Sequence, residues 1–173
     1  MAALGQRAGR AGSPPERFGV NARTAAQPIS EIRAILADDL DQVIALDAAI
    51  TGIEKTDYWY ELFHRYGTRG GQQRQFLVGA RGKQVRGYVI GEVRDWEFGS
   101  APCGWVFGLS VHPDARERGL GSRLLDAICD GFRRAGVRTV RTMLARDNNL
   151  ILSFFRSQGM IAAPYIPLEM ELE

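Results

Sequence analysis

A chain of 173 residues with 45% apolar and 24% charged content is long enough for one domain with its own core. Its net charge is +2, and residues 1–28 carry Arg7, Arg10, Arg17 and Arg23 against Glu16 alone, which leaves the rest of the chain at −1. A body so close to neutral offers no electrostatic case for nucleic acid, and no apolar run approaches the roughly 18 residues that span a bilayer.

Residues 1–28 mix Gly, Ala, Arg and Pro without periodicity, the composition of a flexible extension. Their Ala/Arg bias faintly resembles a transit peptide, but Pro14-Pro15 and scattered glycines interrupt any amphipathic helix. The domain itself is expected at 29–173. Ile29, Ile32 and Ile35 fit a first strand, and Asp38-Asp39 would cap a helix carrying Leu40, Val43, Ile44 and Leu46. A second helix should start at Thr56-Asp57 and run through Tyr58, Trp59, Leu62 and Phe63. Beyond the glycine-rich loop at 67–71, the runs at 76–80 and 85–93 flank Arg81-Gly82-Lys83 as an antiparallel hairpin.

The run at 105–111 reads as the central strand. It ends at His112-Pro113, and a helix follows from about 120 to 135 with Leu120, Leu124, Ile128 and Phe132 on one face. Cys129 falls in step with Leu125 on that apolar side, as a buried thiol would; two cysteines make no disulfide framework and fit a reducing, cytoplasmic setting. Residues 139–144 predict a next strand, parallel to 105–111 because a helix connects them. Asn148 or Asn149 would cap a last helix with Leu152, Phe154 and Phe155, stopped at Gly159. Finally Ile166, Leu168, Met170 and Leu172 alternate with Pro167, Glu169 and Glu171, the pattern of a half-buried strand. The expected fold class is α/β or α+β: a single domain with a mixed, mostly antiparallel central sheet and flanking helices.

The chemistry concentrates at Gly119-Leu120-Gly121-Ser122. Free amides at a helix start, with the positive end of the helix dipole behind them, form a site for phosphate oxygens, and Arg116 and Arg118 add charge at its rim. A dinucleotide-binding fingerprint would require a third glycine at Leu124 and an acid where Met143 and Leu144 stand. The run Arg116-Glu117-Arg118-Gly119-Leu120-Gly121 instead resembles the Q/R-x-x-G-x-G/A signature of the GNAT superfamily of N-acetyltransferases. The strand before it and the Asn148 to Phe155 motif after it extend that resemblance over roughly 29–173.

The resemblance implies acetyl-coenzyme A as cofactor, with no metal. The diphosphate would lie on amides of Glu117, Arg118, Gly119, Leu120, Gly121 and Ser122. The pantetheine arm would run along Leu109, Ser110 and Val111, with Asn148 and Phe155 as second-motif contacts. It also implies that strand 105–111 splays from 139–144, with the thioester in the gap. The reaction implied is direct attack of an amine on the thioester in a ternary complex. A lysine-like acceptor is about 3.4 pH units from neutral at pH 7, roughly 5 kcal/mol, whereas a cysteine-like leaving thiolate is only about 2 kcal/mol uphill. A base is therefore the more pressing need.

Two positions depart from the family pattern. Phe155 stands where a tyrosine acid is frequent, and Met143 where the enzymes that acetylate ribosomal-protein N-termini often carry a glutamate. Glu92 on the hairpin, with Asp95 and Glu97 beyond it, is the candidate base, and Tyr165 a substitute acid. His112 reads as a loop residue. The acceptor wall implied by the resemblance, 50–60 and 162–167, is aromatic and aliphatic, with Tyr58, Trp59, Tyr60 and Tyr165, and with Trp96 and Trp105 beside it. The expected partner is a small-molecule or peptide amine, with homodimerisation left open. The competing reading, motivated by Phe155 and Met143, is a non-catalytic module that binds acyl-coenzyme A.

Overall fold

The computed structural model describes residues 31–68 and 71–172, without the side chains of Phe98, Arg116, Glu117 and Arg118. The expected N-terminal extension and the first two residues of the domain lie outside them.

Among the described residues, five strands form one sheet in the order β1 to β5: β1 Glu31–Ala34, β2 Arg74–Arg81, β3 Gln84–Arg94, β4 Cys103–Val111 and β5 Val140–Arg141. Neighbours are antiparallel except β4 and β5, which are parallel. Among the described residues, four α-helices flank the sheet, α1 Leu40–Thr51, α2 Thr56–Leu62, α3 Leu120–Arg134 and α4 Asn149–Ser157. The expected mixed, mostly antiparallel sheet is thus the one observed.

Two apolar cores lie on opposite faces. Val43, Leu46, Trp59, Phe76, Val78, Tyr88 and Ile90 join α1 and α2 to one face, while Val89, Val106, Leu124, Ile128 and Phe132 join α3 to the other. Alternation along β3 explains the division, since Tyr88, Ile90 and Glu92 share a face and Val89, Gly91 and Val93 share the opposite one.

On the first face, buried Asp47 of α1 accepts from Trp59 Nε1 at 3.1 Å and Tyr88 Oη at 3.4 Å, with Lys55 Nζ at 2.8 Å. One carboxylate therefore ties both helices to β3, and burial raises the Tyr88 phenol. Asp39 does not cap α1 with its side chain. It takes two hydrogen bonds from Arg33 of β1 and one from the Leu36 amide, and Arg33 holds its carboxyl below the usual range.

On the second face, α3 sits in a groove floored by glycines. A Cβ added to Gly79 would come within 2.7 Å of Leu120, at Gly87 within 3.1 Å of Leu124, and at Gly91 within 3.0 Å of Phe132 and 3.1 Å of Ile128. At Gly104 it would run into the Phe132 ring. Each member of the Leu120, Leu124, Ile128, Phe132 stripe thus rests on bare backbone, which lets the helix axis approach the sheet closely. Cys129 is half-buried beside this core, and burial raises its thiol pKa.

Two sequence expectations fail here. The strand foreseen at 139–144 shortens to Val140–Arg141. No strand forms at 166–172, where Ile166, Leu168, Met170 and Leu172 are 79–92% exposed. Alternation marks a segment that would suit a half-buried strand but supplies no ladder partner. Pro164 and Pro167 also remove two amides where pairing would begin.

Gly104→Ala should lower stability by about 1–3 kcal/mol, because the methyl has no room beneath Phe132 and the backbone must shift. In a urea titration this reads as an earlier midpoint at unchanged slope. A wild-type midpoint would show that the groove is loose.

Candidate active site at the parting of two strands

The β4–β5 ladder holds only two residue pairs, Gly104↔Val140 and Trp105↔Arg141, with Gly104 N donating to Thr139 O at 2.8 Å. Past Trp105 the strands part, so residues 106–110 of β4 have no β5 partner among the described residues. The β3–β4 register also slips here: Ile90 faces Gly108 and Gly91 faces Val106, leaving Phe107 as an unpaired bulge residue. The gap therefore opens beside a stretch of β4 whose backbone is open on one side and bulged on the other. Periodicity in the sequence carried no signal for this bulge.

At the far end of β4, His112 leads into a 3-10 turn over Pro113–Arg118. Its Nδ1 accepts from the Asp114 amide at 3.3 Å and its own amide donates to Arg86 O at 2.8 Å, so the imidazole shapes the loop. Gly119 then adopts a left-handed backbone, φ 69°, with open space around its Cα, and α3 begins. The amides of Leu120, Gly121 and Ser122 precede the first intrahelical bond from Arg123 N to Gly119 O. Orphan amides at the start of a 15-residue helix present the donors that a diphosphate needs. A Cβ on Gly121 would meet the Phe154 ring of α4 at 3.2 Å, so this glycine also lets α4 close over the helix start.

The second-motif residues have structural duties. Asn148 Oδ1 accepts from the Ile151 amide at 3.1 Å and caps α4, and Phe155 is 6% exposed within the α3 core. Leu109 and Val111 pack toward that core, while Ser110 lies on the opposite face, across from Tyr88 in the β3–β4 ladder.

At the other end of the gap, one row of side chains crosses four strands: Arg74↔Glu92 in β2–β3, Glu92↔Trp105 in β3–β4 and Trp105↔Arg141 in β4–β5. All four share the α2 face. Glu92 Oε2 accepts from Tyr66 Oη at 2.7 Å and lies 3.9 Å from Arg74, and its Oε1 accepts from Arg94 Nε at 3.2 Å. Arg94 stacks on the Trp105 ring at 4.5 Å. Tyr66 sits on a π-helical turn, Phe63–Thr68, and touches Phe107 of the bulge edge-on at 5.4 Å. Burial, together with the Glu92 contact, pushes the Tyr66 phenol up to about 12.

Tyr165 joins this end as well. It accepts from Arg141 at 3.0 Å and its ring lies 4.5 Å from the guanidinium. Of the other expected wall residues, Trp59 is core, Trp96 is 71% exposed, and Tyr60 borders a groove of about 300 Å³ with Asp41 and Glu54. Asp95 and Glu97 are exposed, with Glu97 reaching Arg94 at 3.8 Å. The wall is therefore ionic as well as aromatic. Arg74, Arg94, Arg141 and Tyr66 went unremarked in the sequence because only strand register brings them together.

Residues 40–160 match the acetyltransferase (GNAT) family. The chain belongs to that family. Its fold is similar to that of the aminoglycoside N-acetyltransferase AAC(6')-Iy solved with coenzyme A, at 15% identity and TM-score 0.73 over 85% of this chain and 98% of that one. It is also similar to the aminoglycoside 6'-N-acetyltransferase AAC(6')-Ih from Acinetobacter baumannii, at 16% identity and TM-score 0.69 over 83% and 99%. A transcriptional regulator from Bacillus halodurans C-125 superposes equally well, at 16% identity and TM-score 0.69 over 83% and 99%. No curated protein sequence matches the chain at a significant level.

The raised Tyr66 phenol is open to an optical titration. With one phenol held near 12, the wild type should keep one more un-ionised tyrosine at pH 11 than the number its Tyr66→Phe variant keeps. A wild type that shows one more tyrosinate than the variant at pH 11 would contradict the raised phenol.

Proposed function

We propose that this protein is an acetyl-coenzyme A-dependent N-acetyltransferase acting on a primary amine of a small molecule, by direct attack in a ternary complex. The observation that carries the reading is the pairing of two features along one strand. β4 parts from β5 directly after Trp105, and its far end feeds the orphan amides of α3.

Bound acetyl-coenzyme A supplies the acetyl group as an activated thioester. The amides of Leu120, Gly121 and Ser122 would hold its diphosphate, and the edge of 106–110 that faces no β5 partner would receive the amides of the pantetheine arm. Glu92 is the base of this proposal. A carboxylate has about four lone-pair positions, and Tyr66 and Arg94 occupy one on each oxygen, so positions remain for a water that relays the amine proton. Tyr66 and Arg94 orient that carboxylate. Tyr165 accepts from Arg141 through its oxygen, which leaves its O–H free to donate to the leaving sulfur, whose thiolate lies only about 2 kcal/mol above the thiol at pH 7. Phe155, being core, takes no part in proton transfer.

The two similar aminoglycoside acetyltransferases support a small-molecule amine over a protein one. The orienting contacts around Glu92 favour an enzyme over a module that only binds acyl-coenzyme A.

Thiol release from acetyl-coenzyme A, measured against a panel of primary amines, should give intersecting initial-velocity lines for both substrates. Glu92→Gln should lower kcat by about a hundredfold or more while coenzyme A binds unchanged. Tight coenzyme A binding with no turnover on any amine would favour the binding module.

A further inference from the structure

Resting on the acetyl-transfer reading, we infer that the acceptor carries a carboxylate beside its amine, and that Arg141 binds that carboxylate. The starting point is an imbalance of charge along the cross-strand row. Glu92 is shared by Arg74 and Arg94, and Arg94 also reaches Glu97. Three guanidiniums thus stand against two carboxylates, and the surplus falls on Arg141. Its partners are all neutral: Ser100 Oγ at 2.9 Å, Cys103 Sγ at 3.5 Å, Tyr165 Oη at 3.0 Å and the Tyr165 ring. No carboxylate pairs with it among the described residues.

A half-buried guanidinium held by neutral groups on one side keeps a full charge and spare N–H donors for a ligand. Arg141 occupies the last paired position before the strands separate, so its charge stands where the acceptor must reach the thioester. The orphan amides of α3 take the phosphates at the opposite end of β4, and the pantetheine arm is neutral. The anion that Arg141 awaits therefore belongs to the acceptor. Two strand spacings, roughly 10 Å, separate the backbones of Glu92 and Arg141. An amine poised toward Glu92 and a carboxylate on Arg141 can span that interval across Trp105. Polycationic amines meet the wrong sign of charge here, so this site differs in chemistry from one for aminoglycosides.

The test uses the wild type and Arg141→Gln, each saturated with coenzyme A, and reads binding of N-acetylglycine, N-acetyl-L-alanine and N-acetyl-L-phenylalanine against their amides. At least one acid should bind roughly tenfold or more tighter than its amide, the lower end of what a hydrogen bond to a charged group contributes. Arg141→Gln should erase that preference, and Arg141→Lys should restore part of it, while coenzyme A affinity stays at the wild-type value. Equal binding of acid and amide in every pair, or a preference that survives Arg141→Gln, would overturn the assignment. Because this readout needs no turnover, it stands apart from the thiol-release assay: failure there with an intact acid preference would sink acetyl transfer and leave the carboxylate site standing.

Discussion

The close seat of α3 on the sheet is the constraint from which the rest of this structure follows. Gly79, Gly87, Gly91 and Gly104 clear a channel across four strand positions, and Leu120, Leu124, Ile128 and Phe132 fill it. A helix bound along its whole length at that depth has no freedom to shift its first turn. Its orphan amides are thereby fixed beside the end of β4, which is what an anion site needs in order to be ready before its ligand arrives. Gly104 serves twice, since the backbone that lies beneath Phe132 also starts the short ladder to β5.

That ladder divides the site into two ends of different chemistry. Beyond it, residues 106–110 of β4 have no β5 partner among the described residues, and α3 begins with no acidic side chain in its first turn. Before it lies the ionic row, held by Tyr66 from the π-helical turn and by Arg94 from the end of β3. Asp47 stabilises this second end indirectly. By fastening α2 through Trp59, it fixes the helix from which the Tyr66 turn continues. On the proposed reading, the donor end is built from backbone and the acceptor end from side chains, so the second can vary in substrate while the first keeps its ligand.

Much of the fold was legible because it is local. The α3 stripe, the 81–83 hairpin turn and the Gly119 helix start are written in adjacent residues, and α3 begins at Leu120 as expected. What escaped depends on register or on partners. The face that Glu92 occupies follows from Tyr88 and Ile90, which lie in the α1–α2 core on the same side of β3. The bulge at Phe107 and the row joining positions 74, 92, 105 and 141 require knowing which residue opposes which across four strands. The final alternating segment misled for the same reason in reverse, since a strand pattern without an adjoining edge forms no strand. Phe155 looked like a lost acid in the sequence; in the fold it is a core residue beside Phe154.

The most direct measurement of the central claim is backbone hydrogen exchange with and without acetyl-coenzyme A. If one strand links both halves of the donor site, ligand should slow exchange at the amides of Leu120, Gly121 and Ser122 together with residues 106–111 of β4. The antiparallel β1–β2 pair should stay unchanged. Protection that appears elsewhere, or at the helix start with none along β4, would contradict the account.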